Sequence, residues 1–105
     1  MSDLVVLFVT ATEAEAPGLV RTLVSEGLVA CGNILPGVRS IYRWQGEVCD
    51  DTEAVILMET TPTRLAEARA RIEALHSYDV PKIVALPSSE VSAPYLQWVR
   101  ACTAD

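Results

Sequence analysis

Ala30-Cys31-Gly32-Asn33-Ile34-Leu35-Pro36-Gly37-Val38-Arg39-Ser40-Ile41-Tyr42-Arg43-Trp44-Gln45-Gly46-Glu47 is the stretch that decides the fold of this chain. It opens with the character of a buried β-strand and bends at Pro36-Gly37. It then resumes with the β-formers Val38, Ile41, Tyr42 and Trp44 and turns at Gln45-Gly46. A strand of that length outruns one compact sheet in a chain of 105 residues. Its outer half is therefore expected to pair with another chain.

On the N-terminal side, Leu4 to Val9 is a continuous apolar run ending at Thr10, the pattern of a strand buried on both faces. Thr12 and Glu15 have the spacing of a capping box. Ala16, Leu19, Val20, Leu23 and Val24 then follow a helical stripe, and Gly27 supplies the stop. Pro17 sits near the limit of the tolerated zone and delays the helix start by a residue or two. On the C-terminal side the chain returns through Val48 to Thr60, with Ala54-Val55-Ile56-Leu57-Met58 as a second apolar run. Thr61 and Pro62 open a second helix, with Leu65, Ala68, Ile72 and Leu75 facing inward and Arg64, Glu67, Arg71 and Glu73 facing water. Pro81 to Leu86 reads as a fourth strand. Ser92 caps a short last helix carrying Tyr95, Leu96, Val99 and Cys102 on one side. The order is β-α-β-β-α-β plus a terminal helix, an α+β ferredoxin-like sandwich with a long bent hairpin, filling residues 1–105 as one domain.

Half the residues are apolar and the net charge is −6. Nucleic acid and anionic membrane surfaces are poor partners, because both need clustered Lys and Arg and only eight basic residues exist. No apolar run approaches the roughly 18 residues of a membrane span, and the N-terminal run lacks the basic start and length of a signal peptide. Cys31, Cys49 and Cys102 are odd in number and widely spaced, as reduced thiols are. A cytoplasmic location is expected.

In a ferredoxin-like fold both long helices cover one face of an antiparallel sheet, and the other face normally alternates apolar with polar residues. Leu4 to Val9, Ala54 to Met58 and Ile83 to Leu86 do not alternate. Their second face needs a cover, and a monomer rarely tolerates so large an apolar patch. Burial at about 25 cal/mol per Å² makes self-association the expected resolution.

The Ala30–Gly46 stretch resembles the divalent-cation tolerance (CutA) family, whose pattern Ala-Cys-x-Asn-Ile-x-Pro-Gly-x-x-Ser-x-Tyr-x-Trp-x-Gly is matched at every fixed position. The likeness runs from the first strand's Val-Thr-Ala through Tyr95 and Trp98. It implies a stable, non-enzymatic homotrimer with threefold symmetry, linked to tolerance of copper and other divalent cations. There are departures. The family's His-Pro-Tyr is His76-Ser77-Tyr78 here, its Lys-Thr is Glu59-Thr60, and its Pro-Glu is Pro81-Lys82. The last two exchange charge signs, which preserves an ion pair if the two side chains meet. The first strand lies between the third and fourth in this fold, so contact within one chain spans two strand spacings, roughly 9–10 Å. A pair across a subunit interface is at least as plausible.

Cys31 reads as a small core hydrophobe or as a soft ligand for copper or another thiophilic cation, three of which a threefold axis could gather. His76, the lone histidine, reads as a partner for free helix carbonyls or as a second metal ligand. Tyr42, Trp44, Tyr78, Tyr95 and Trp98 read as interface anchors or as an intersubunit cleft for a small ligand. Glu47, Asp50, Asp51 and Glu53 read as a solvated acidic edge that discourages stray strand pairing, or as a weak site for hard cations. No phosphate loop, Cys-x-x-Cys or Ser-His-Asp set is present. The reading is a metal-responsive trimer with Cys31 and His76 as ligands. A regulatory module binding a small ligand between subunits is the alternative, and an adapter with no ligand is a third.

Overall fold

The computed structural model describes residues 3–104. The element order is β1 (Val5–Ala11), α1 (Ala16–Ser25), β2 (Cys31–Trp44), β3 (Glu47–Thr60), α2 (Leu65–Leu75), β4 (Ile83–Pro87) and α3 (Ala93–Thr103). All pairings are antiparallel and the sheet order is β2-β3-β1-β4, so the first strand does lie between the third and fourth. No helix among the described residues is long and apolar enough to cross a membrane.

Local chemistry sets the boundaries. Thr12 N–H donates to Glu15 Oε2 at 3.2 Å and Glu15 N–H donates to Thr12 Oγ1 at 3.1 Å, closing the turn from which α1 starts. Gly27, at φ +69°, ends the helix. Its N–H bonds Val24 O, and the N–H of Leu28 reaches back to Leu23 O, the paired bonds of a Schellman stop. In β2, Pro36 and Gly37 fall where the register skips between Leu35↔Val55 and Val38↔Glu53. Two residues oppose one there, so the strand bends without ending. Gln45 and Gly46 both have positive φ, as a two-residue hairpin turn requires.

The sheet has one covered face. Leu7, Val9 and Ala11 of β1 lie beside Met58, Ile56 and Ala54 of β3, and all six are fully buried. Leu19, Val20, Leu23, Ala68 and Ile72 from α1 and α2 close over them. At Gly32 the approach is so tight that a Cβ would come within 2.5 Å of Val20 Cγ1.

The opposite face carries Val6, Phe8, Val55, Leu57, Val84 and Leu86, and α3 shelters only one end of it. Leu35, Val84 and Leu86 are 46%, 42% and 44% exposed. The unbroken apolar runs thus lack a second cover within the chain. Several inward assignments are corrected. Val24, Leu75 and Cys102 are exposed, because each lies at the margin of its helix's buried stripe. Arg64, expected in water, folds back instead, and its Nε donates to Thr103 O at 2.8 Å. Glu53 is not part of a solvated edge but is buried.

Candidate functional site

The open face carries the densest group of chemically capable side chains at the end beneath α3. Leu4, Ala30 and Val99 form a small core there, flanked by Val6, Val91, Tyr95 and Leu96. Cys31 begins β2 directly opposite Glu59 of β3. The expectation that Cys31 lies in the buried start of a strand is corrected, because it is half-exposed. Tyr95 reaches down from α3 and its hydroxyl donates to Glu59 Oε1 at 2.5 Å. Burial and that bond push the Tyr95 phenol well above its ordinary value. Burial, then the charge of Glu59, also raises the Cys31 thiol, with Tyr95 partly offsetting them by hydrogen bonding. The sulfur is therefore a protonated thiol at neutral pH, and a metal ion would have to displace its proton. Trp98 stacks beside Tyr95 with ring centroids 5.6 Å apart and is 47% exposed.

His76 lies elsewhere. Tyr78 N–H donates to its Nδ1 at 3.1 Å, so the neutral ring carries its proton on Nε2, 2.8 Å from Thr10 O. The carbonyl it satisfies belongs to β1 and not to its own helix, which differs from the expected helix-end role. Both ring nitrogens are engaged, so coordinating a metal would break one of these bonds. Thr10 lies four residues along β1 from Val6, the partner of Glu59, so Cys31 and His76 sit at opposite ends of the sheet. Among the described residues no three His, Cys, Asp or Glu side chains converge on a metal position. One chain alone does not build the expected site.

Around His76 runs a polar network whose members the sequence did not connect. Glu15 accepts from Thr12 Oγ1 at 2.8 Å, Ser77 Oγ at 2.7 Å and Ser77 N at 3.1 Å. Burial alone would raise its carboxyl, but these bonds outweigh it and hold the pKa at about 2. Tyr78 packs on His76 and donates to the buried Glu53 at 2.6 Å. Ser77, where the family pattern has Pro, is thus the donor that ties α1 to the segment after α2.

The remaining residues lie outward of these two groups, with Tyr42 near enough to feel the charge of Glu53 and to act on Tyr78. Tyr42 and Trp44 stand on the outer hairpin, where the Tyr42 hydroxyl donates to Asp51 and its pKa rises to about 12 for that reason first. Arg39 grips Asp50 through two nitrogens at 2.7–3.1 Å. Tyr95 and Trp98 therefore stand apart beneath α3, while Tyr42 and Tyr78 lie within electrostatic reach of one another towards the other end of the sheet, so the five aromatic residues form no single cleft in one chain. Lys82 lies with its ammonium 4.4 Å from the centre of the Phe8 ring, on the open face.

The profile of the CutA1 divalent ion tolerance protein family matches residues 4–102. The divalent-cation tolerance protein CutA of Thermus thermophilus is 48% identical over 99 residues, which span 94% of this chain and 96% of that protein. A solved structure of the divalent cation tolerance protein from Thermus thermophilus superposes with a TM-score of 0.92 at 45% identity, covering 96% of this chain and 99% of that one. The chloroplastic protein CutA of Arabidopsis thaliana is 38% identical over 100 residues, and the match spans 94% of this chain but only 55% of that protein. A shared fold, and identity that runs through nearly the whole sequence, place this chain in the CutA1 divalent ion tolerance family.

Proposed function

We propose that this chain works as a cytoplasmic homotrimer that responds to divalent metal ions and binds copper through Cys31, without catalysing a reaction. The observation that carries the proposal is the half-uncovered sheet face. It is apolar over three strands and has Cys31 at one end. Joining copies over that face buries the exposed Val84, Leu86 and Leu35 and brings one thiol per chain to a shared interface. Thiolate sulfur suits Cu(I), and one thiol from each copy supplies the soft donors that a single chain lacks. His76 has no place in this site, since both its nitrogens are used inside the chain. The three cysteines, all unpaired, suit a reducing compartment.

A second reading is favoured by the Tyr95–Trp98 stack next to Glu59, an aromatic shelf with a carboxylate beside it. Such a shelf suits a small planar ligand held between subunits, in a regulatory role. Calorimetry of the metal-free protein with Cu(I), Cu(II) and Zn(II), repeated on Cys31→Ser and His76→Ala, separates the two. Copper binding that Cys31→Ser abolishes and His76→Ala leaves intact supports the metal reading. Binding that ignores Cys31→Ser removes the site. Absence of metal binding, with a thermal shift that Trp98→Ala abolishes in a small-ligand screen, favours the shelf.

A further inference from the structure

Along the apolar rows of the open face stand two ionisable side chains without an ionic partner. Glu59 opposes Val6 and lies under α3, while Lys82 precedes β4 by one residue and leans over Phe8. Val6 pairs with Leu86, four residues beyond Lys82, so the two backbone positions are about 16 Å apart, from four residues of rise and two strand spacings. They do not meet inside one chain. Among the described residues neither forms an ion pair. Tyr95 occupies one Glu59 oxygen, and the Lys82 ammonium lies across an aromatic ring.

This resting arrangement is tolerable only while water reaches both groups. Covering the face with a second copy would strip that water, and a buried charge without its opposite is strongly disfavoured. Glu59 stands at one end of the face and Lys82 towards the other, so a copy shifted along it presents each of these charges with its complement.

We infer that Lys82 of one copy pairs with Glu59 of the next, fixing how the copies register on the open face. The inference rests on the assembly proposed above and goes beyond it by naming the contact that sets its geometry. Glu53 and Asp51, on the same side of β3, are the rival partners, but Glu53 is buried and bonded by Tyr78, and Asp51 is already bonded by Tyr42 on the outer hairpin.

Two measurements test the pairing. Mixed isotope-labelled and unlabelled wild-type protein is treated with a carbodiimide, which condenses an amine and a carboxylate in direct contact. Peptides joining Lys82 to Glu59 across differently labelled chains are the expected product. Lys82 joined to Glu53 or to any other carboxylate overturns the assignment. In parallel, sedimentation of Glu59→Lys and Lys82→Glu should show association weakened at least tenfold, about what a close interfacial charge pair contributes. The double exchange should return to within about threefold of wild type. A wild-type assembly that stays intact while the double exchange is no better than the singles sinks the pairing alone. A folded wild-type monomer sinks the assembly itself.

Discussion

The two faces of the sheet are nearly equal in apolar character and opposite in fate. On one, Leu7, Val9, Ile56 and Met58 are fully buried beneath α1 and α2. On the other, Val84 and Leu86 remain more than 40% exposed, because α3 packs towards β3 and leaves the edge strand β4 bare. Chemistry of this kind without a cover signals a surface made for another molecule. The covered face holds the fold together. The open face should hold copies together, and it is where the thiol, the carboxylate and the ammonium are found.

Truncation should separate those roles most sharply. Ile56→Ala on the covered face removes a fully buried side chain and should lower unfolding free energy by about 3–4 kcal/mol in urea denaturation. Leu86→Asp on the open face should leave far-UV circular dichroism unchanged and abolish association in sedimentation. Equal loss of folded structure in both variants would erase the distinction.

A smaller effect is expected at Gly32, where the covered face is tightest. The first methyl added there meets the stiff side chain of Val20, so Gly32→Ala should cost about 1–3 kcal/mol. A gain in stability would mean α1 can shift outward freely.

The polar network at the far end of the sheet should give the mildest change and a pH signature. The Glu15 carboxyl is held at about 2, below its ordinary 4.5. Its folded-state pKa is depressed, so its contribution is present above pH 4.5 and is lost as pH falls towards 2. Glu15→Gln should cost about 1–2 kcal/mol at neutral pH, and the gap to wild type should narrow by about pH 3. A gap that does not change with pH would show that packing, and not charge, is what the variant removes.

Much of this was readable in the residues. The capping box at Thr12 and Glu15, the stop at Gly27, the bend at Pro36-Gly37 and the turn at Gln45-Gly46 are local rules, and each is met within a residue or two. The uncovered face was also legible, because non-alternating strands have no other outlet in so short a chain. Side-chain partnerships across the sequence were not legible. Nothing local links Tyr95 to Glu59 or Ser77 to Glu15, which lie 36 and 62 residues apart. The pairing of Cys31 with His76 as ligands relied on residue type alone, and the register puts them at opposite ends of β1. A buried tyrosine does need an acceptor for its hydroxyl, and that rule could have flagged Tyr95 and Tyr78 as the organisers of the two polar groups.

Sedimentation velocity of the wild-type protein over a dilution series tests the central claim most directly. The uncovered apolar face predicts a single associated species that persists on dilution, and the homotrimer proposed above sets its mass at three chains. A folded, stable single chain throughout the series would contradict the account.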